Sequence, residues 1–80
     1  MMKISVNLFA TLVQFKPEGA GREPFEMECP EGTTIQNVLE MLNIPSFKAR
    51  IIFVNNVHAA ENTRLNNGDR VGIFPPVGGG

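Results

Sequence analysis

Apolar residues alternate with polar ones, or cluster, in five short stretches of the chain, and each stretch predicts a β-strand. In residues 3–9 the apolar side chains recur at every second position, so one face of this strand is expected in the core and the other in solvent. The remaining stretches are residues 24–29, residues 50–54, a short run from Val57 and residues 70–74. Residues 50–54 are rich in β-branched and aromatic side chains, which predicts a strand buried on both faces.

Two further stretches have helical spacing. The clearer one is an apolar stripe at positions i, i+3, i+4 and i+7, formed by Ile35, Val38, Leu39 and Leu42. Thr33 and Gln36 have the spacing of a capping box, so the helix is predicted to begin after Thr33. Pro45 predicts an end near Leu42, because the residue before a proline avoids helical geometry. The apolar side chains within residues 10–15 predict a shorter helix of one or two turns.

Turn-forming residues separate these elements. Asn55-Asn56 is typical of a tight hairpin turn with positive φ, and NNGD at 66–69 predicts a second turn. The segment KPEGAGREP at 16–24 predicts a surface loop. The resulting order is strand, short helix, strand, helix and three strands. It predicts an α+β domain in which one main helix packs on one face of a mixed sheet of four to five strands.

Composition limits the class of protein. The chain has 80 residues, 42% of them apolar and 19% charged, which predicts a single globular domain. A net charge of −1 argues against nucleic-acid binding, which requires a basic surface. No apolar run approaches the roughly 20 residues of a membrane-spanning helix, and the alternating start does not resemble a secretory signal. The expected location is the cytoplasm.

The chain has few candidates for catalytic or metal-binding side chains. His58 is the single histidine and stands beside a predicted turn, where an exposed or structural role is more common than metal binding. Glu26 and Glu28 share one face of a strand, which is typical of its solvated side and not of a catalytic pair. Cys29 has the apolar parity of the same strand, which favours buried packing over a nucleophilic role.

Bound cofactors are not predicted either. A single cysteine cannot form an intramolecular disulfide or complete a cysteine-based metal site. The glycines within 19–21 and 78–80 precede neither a helix nor a P-loop lysine, so they do not predict a nucleotide site. The chain therefore lacks the parts of an enzyme, and any ATP in its biology is expected to be bound by a partner.

The last seven residues, FPPVGGG, are the remaining candidate for a functional segment. A glycine-rich end is often a disordered extension without function. Here, however, Pro75-Pro76 favours an extended exit from the last strand, and glycines can enter a channel too narrow for any Cβ. Six residues after Phe74 reach at most about 20 Å when extended. Residues 1–74 are thus predicted to form the domain, and residues 75–80 a flexible tail that places the Gly80 carboxylate inside another protein.

The whole chain resembles the MoaD/ThiS-type sulfur carriers, which have the ubiquitin-like β-grasp fold. The combination of PPV and terminal glycines after a NGDRV strand, in a domain this short, is the most specific part of the resemblance. The matching segments are KISVNLFATL, PEGTTIQNVLEML, IFVNNV, LNNGDRVGIFPPV and the glycine pair Gly79-Gly80.

This resemblance implies a chemical role for the tail. In such carriers an E1-like enzyme of the MoeB/ThiF type uses ATP to adenylate the terminal carboxylate, here that of Gly80. Sulfur from a persulfide donor replaces AMP, and the thiocarboxylate delivers it to a small molecule in a second partner. Gly78 and Gly79 are expected to permit passage, and Pro75, Pro76 and Val77 to aim the tail.

The resemblance also implies partners and a pathway. Phe9 and Phe74 are expected either in the docking surface or in the core. The short helix at 10–15 and the double proline favour the MoaD branch, which serves molybdopterin synthase through a MoaE-type large subunit. Gly78 is typical of the ThiS branch, which serves a thiazole synthase. Two other roles share the fold: a ubiquitin-like protein modifier, and a binding module that does not use its tail.

Overall fold

The structure is a computed structural model that describes residues 1–19 and 24–76. Within these residues five strands form one sheet: Met2–Leu8 (β1), Phe25–Cys29 (β2), Ile51–Val54 (β3), Val57–His58 (β4) and Arg70–Phe74 (β5). One α-helix, Ile35–Met41 (α1), lies between β2 and β3 in the chain. Two 3₁₀ helices, Ala10–Phe15 and Ser46–Lys48, complete the described elements.

The sheet is mixed, as its sequence pattern predicts. Its strand order is β2-β1-β5-β3-β4, in which β1 and β5 are parallel and the other neighbouring pairs are antiparallel. The first and last strands of the chain therefore lie side by side at the centre. With α1 covering one face, this is the β-grasp fold, and the predicted α+β class is confirmed.

One face of the sheet packs against α1 and forms the core. Alternate residues of β1 and β5 point to this face and are almost completely buried, together with the apolar stripe of α1. Cys29 is buried in the same cluster, so its predicted packing role is confirmed. Glu26 and Glu28 point to the other face and are exposed, as expected for the solvated side of β2.

The start of α1 differs from its prediction by one residue. Thr34, not Thr33, is the N-cap: its hydroxyl oxygen accepts from the backbone N–H of Asn37 at 3.2 Å. The Asn37 Oδ1 in turn accepts from the backbone N–H of Thr34 at 3.0 Å, which completes the capping box. The Thr33 hydroxyl instead donates to the carbonyl oxygen of Pro30 at 2.7 Å. The predicted end is confirmed, since Leu42 is the C-cap.

Strand β3 is also less buried than its composition suggests. It begins at Ile51, not Arg50, and only Ile52 among its residues is fully buried. The prediction of burial on both faces was wrong, because α1 covers only one face of the sheet and leaves Phe53 partly exposed on the other. The short helix predicted at 10–15 is present as a 3₁₀ helix.

The predicted turns are confirmed where the structure describes them. Asn55 and Asn56 have φ of 53° and 69°, which fits the tight turn between β3 and β4. The loop predicted at 16–24 is described only in part, since residues 20–23 lie outside the described residues. No helix in the described part of the chain has the length and hydropathy of a membrane span.

Candidate functional site

The face of the sheet opposite α1 carries a cleft of about 420 Å³. Three aromatic rings, Phe9, Phe53 and Phe74, line it together with Gly72, and we call this surface the aromatic cleft. Farther along β1 and β5 its lining becomes polar, with Ser5, Asn7 and Arg70. The cleft therefore has an apolar end close to the end of β5 and a polar end close to the start of that strand.

Strand register explains why two of these rings meet. In the parallel pair, Leu8 is in register with Ile73, so the next residues, Phe9 and Phe74, are neighbours on the open face. Their rings are stacked, with centroids 4.0 Å apart and planes only 4° from parallel. A backbone hydrogen bond of 3.1 Å from the Phe9 N–H to the Ile73 carbonyl oxygen holds the two strands together at this point.

Phe53 completes the aromatic group from the other side of β5. Its ring meets that of Phe74 edge to face, with centroids 5.8 Å apart and planes at 83°. It also contacts the exposed His58 edge to face, at 5.7 Å and 78°. These geometries are those that aromatic quadrupoles favour. His58 is thus placed beside the aromatic cleft by the β3–β4 hairpin.

Gly72 provides the space over which the rings lie. A Cβ built on Gly72 would be 3.6 Å from Cε1 of Phe74 and 3.6 Å from Cε2 of Phe9. That distance is ordinary van der Waals contact, so the rings approach the backbone about as closely as a methyl group would permit. A larger side chain at this position would compete with both rings for the same space.

The tail leaves the domain at the edge of the aromatic cleft. Phe74 is the last residue of β5, and Pro75 and Pro76 come directly after it, both partly buried. A proline has no N–H to donate to a neighbouring strand, so the β-ladder ends here. Of the residues predicted to carry and guide the chemistry, Val77 and the three terminal glycines lie outside the described residues.

A polar network fixes the strands at the other end of the cleft. The Asp69 carboxylate accepts from Asn55 Nδ2 at 2.9 Å and from the Asn66 backbone N–H at 2.8 Å. Asn55 Oδ1 accepts from the backbone N–H of Arg70 at 2.9 Å. The network joins the β3–β4 turn to the beginning of β5, close to Phe53 and Arg70.

The structure thus unites the two predicted surface residues, Phe9 and Phe74, and adds others that the sequence pattern did not identify. Phe53 was assigned to a strand buried on both faces, and Gly72 was not singled out. The signal that could have identified Phe53 is the alternation of side chains along a strand: Ile52 faces the core, so its neighbour Phe53 faces the opposite side of the sheet. Among the described residues no group of three or more His, Cys, Asp or Glu side chains is arranged to hold a metal ion.

The sequence also matches a known protein family. The match is to the ThiS family over residues 6–80, which include the three rings of the aromatic cleft and residues 75–80. No curated protein sequence matches the chain significantly.

Several solved structures are similar over nearly the whole chain. A putative molybdopterin converting factor subunit 1 from Pyrococcus furiosus is 30% identical, with a TM-score of 0.71 over 96% of this chain and 100% of that one. Small archaeal modifier protein 1 from Haloferax volcanii is 22% identical, with a TM-score of 0.71 over 96% and 100%. Subunit 1 in a complex of molybdopterin-converting factor subunits 1 and 2 from Helicobacter pylori is 21% identical, with a TM-score of 0.59 over 99% and 100%. At these last two identities the similarity shows the fold alone.

Proposed function

Since the chain belongs to the ThiS family, we propose that it is a sulfur carrier whose terminal Gly80 holds the sulfur as a thiocarboxylate. The observation that supports this most directly is the place where the tail begins. β5 ends in the aromatic cleft at Phe74, and two prolines lead away from it. A partner that binds the cleft therefore has the terminal carboxylate within about 20 Å, the reach of six extended residues.

The proposed reaction sequence uses the tail as the reacting group and partners as catalysts. In an activating enzyme of the E1-like type, a carboxylate oxygen of Gly80 attacks the α-phosphorus of ATP and pyrophosphate leaves. The terminal sulfur of a persulfide donor then attacks the acyl carbon, AMP leaves, and an acyl disulfide forms. A second thiol attacks the donor's sulfur and forms a disulfide with it, so that Gly80 is released as a thiocarboxylate.

The proposed destination of the sulfur is molybdopterin. The Pyrococcus furiosus protein, 30% identical to this chain, is named as a subunit of a molybdopterin converting factor. The double proline after β5 agrees with that branch of the family. The large partner is then a synthase subunit comparable to subunit 2 of the Helicobacter pylori complex, and we place its docking site on the aromatic cleft. Transfer to a thiazole synthase is the alternative destination.

The aromatic cleft suits this docking role physically. Its three rings are partly exposed on the face that α1 leaves uncovered, and aromatic residues contribute strongly to protein interfaces. The polar end with Arg70 offers hydrogen bonds and a charge next to the apolar end, as polar residues at interface rims do. The docking surface and the beginning of the tail are thus adjacent, so a partner bound to the cleft receives the tail beside its contact surface.

Intact-protein mass spectrometry tests the proposal. After incubation with the activating enzyme of its own organism, ATP, a persulfide donor and a thiol, the chain is expected to gain the mass difference between sulfur and oxygen. A variant lacking Gly80 and a variant with one added C-terminal residue serve as controls and are expected to stay unchanged. Sulfur incorporation into either control, or none into the native chain, would contradict the proposal.

The same activated acyl group has a second possible acceptor, a lysine amine, which would make the chain a protein modifier. Its fold is shared by the small archaeal modifier protein 1 from Haloferax volcanii. Immunoblotting of cell extracts under reducing, denaturing conditions separates the two roles. A ladder of stable conjugates that disappears without Gly80 supports the modifier role, whereas a single free band supports sulfur transfer alone.

A further inference from the structure

We propose that Phe9 is a positioning residue for the tail: its ring holds Phe74 in one orientation and thereby fixes the direction in which Pro75 and Pro76 leave the sheet. The inference rests on the proposed function only because it takes the tail as the segment that carries the reacting carboxylate. It assigns to Phe9 a task that differs from docking, because the ring acts on its own chain before any partner binds.

The Phe74 ring is partly exposed and contacts two other aromatic rings. Phe9 covers one of its faces at a centroid distance of 4.0 Å, and Phe53 meets it edge to face at 5.8 Å. The ring lies over Gly72, where a built Cβ would be 3.6 Å from its Cε1, so a larger side chain at that position would displace it. A ring held between two aromatic neighbours has fewer rotamers available, so the position of its backbone is restricted as well.

The segment that leaves the sheet after Phe74 is stiff. A residue before proline is confined to extended backbone geometry, which applies to both Phe74 and Pro75. The pyrrolidine rings of Pro75 and Pro76 fix φ at each position. The direction of Pro75 and Pro76 therefore depends mainly on the orientation of Phe74, and a change in that orientation also changes the direction in which the tail begins.

The backbone beside Phe9 is strained. Ala10 has a φ of 54°, a left-handed conformation that an alanine adopts only at a cost in free energy. The chain turns there into the first 3₁₀ helix, immediately after the Phe9 N–H has bonded to Ile73. Such strain persists only where the surrounding structure holds it, and here it accompanies the placement of the Phe9 ring over β5.

Docking and positioning make different demands on Phe9. A docking residue only needs apolar surface, so leucine would largely replace it, and losing it would weaken binding. A positioning ring must remain flat against Phe74, so leucine would fail while tyrosine would succeed. A misdirected tail lowers the rate of the chemical step within the complex, because the reacting carboxylate is presented in the wrong geometry.

The experiment compares Phe9→Leu and Phe9→Tyr with the native chain. The matched control is Phe47→Leu, because Phe47 lies on the second 3₁₀ helix, is 64% exposed and does not line the aromatic cleft. The first measurement is ¹³C relaxation of the Cα–Hα bonds of Pro75 and Pro76 in the free protein, which requires no partner. We expect lower order in Phe9→Leu only, with Phe9→Tyr and Phe47→Leu matching the native chain.

The second measurement is the steady-state rate of adenylation by the activating enzyme of the same organism. For Phe9→Leu we expect kcat to fall about tenfold or more with KM within about twofold, whereas Phe9→Tyr restores kcat. An unchanged kcat with a raised KM, or unchanged relaxation at both prolines, would overturn the inference. If the native chain is not adenylated, the proposed function fails, but the relaxation data still decide the role of Phe9. If Phe9→Leu does not fold, Phe9→Met takes its place in both measurements with the same expected and opposing results.

Discussion

Asn55 and Asp69 are joined by a hydrogen bond of 2.9 Å from the Asn55 amide nitrogen to the Asp69 carboxylate, although they are 14 positions apart in the chain. Asn55 sits at positive φ in the turn after β3, and Asp69 directly precedes β5. The bond therefore connects the end of β3 to the beginning of the antiparallel strand β5. Because Phe53 is on one of these strands and Gly72 on the other, the pair also sets the geometry of the aromatic cleft.

Replacement of Asp69 by alanine is expected to lower the free energy of unfolding by about 2–4 kcal/mol. Asp69 is 8% exposed, and its removal leaves the Asn55 amide and the Asn66 N–H without their acceptor. Urea titration followed by circular dichroism measures the loss. The matched control is Glu28→Ala, an exposed acidic residue on β2, which is expected to change stability by no more than about 0.5 kcal/mol. Equal effects of the two substitutions would contradict the assigned role of Asp69.

The N-cap of α1 provides a second prediction. Thr34→Ala removes the oxygen that accepts from the Asn37 N–H, so we expect a loss of about 1 kcal/mol in the free energy of unfolding. Thr34→Ser keeps that oxygen and is expected to retain most of the stability. Thermal unfolding of both variants checks this. A loss in Thr34→Ser as large as in Thr34→Ala would mean that the methyl group of Thr34, and not the cap, is responsible.

The sequence predicts the fold well because each element has its own local pattern. β5 is present over its full predicted range, and the stripe of α1 ends where Pro45 indicates. The predicted N-cap was wrong by one residue because Thr33 and Thr34 both suit the position. Asn37, the N3 residue after Thr34, also completes a capping box as Gln36 would after Thr33. Neighbouring candidates of equal chemistry cannot be separated by spacing alone.

The candidate site was predictable only in part. Its tail is evident in the sequence, and so were Phe9 and Phe74 as surface candidates, but a run such as IIFV does not reveal which face of the sheet the helix leaves open. Phe53 was therefore placed in the core. The bond between Asn55 and Asp69 depends on strand order, which brings β3 beside β5, and no local pattern carries that information.

The strained backbone at Ala10 predicts a substitution that raises stability, unlike those at Asp69 and Thr34. With a φ of 54°, alanine is less favourable there than glycine, so Ala10→Gly is expected to raise the free energy of unfolding by up to about 1 kcal/mol. Ala60→Gly is the control, since Ala60 is exposed and is not among the described residues with positive φ. It is expected to lose about 0.5–1 kcal/mol because glycine is more disordered in the unfolded chain. Chemical denaturation measures both variants, and a loss of stability in Ala10→Gly as large as that in Ala60→Gly would show that the strain at Ala10 is negligible.

Docking on the aromatic cleft predicts different consequences for two phenylalanines that are both accessible to a partner. Phe53→Ala removes one of the three rings of the cleft and its contact with Phe74, so we expect the affinity for the synthase large subunit to fall at least about tenfold, or about 1.4 kcal/mol. Phe47→Ala changes a more exposed ring outside the cleft, and we expect its affinity to remain within about twofold of the native value. Isothermal titration calorimetry of each variant, after circular dichroism has shown that it is folded, measures the difference. If Phe47→Ala weakens binding and Phe53→Ala does not, the partner docks beside the second 3₁₀ helix and the tail must reach its active site from there.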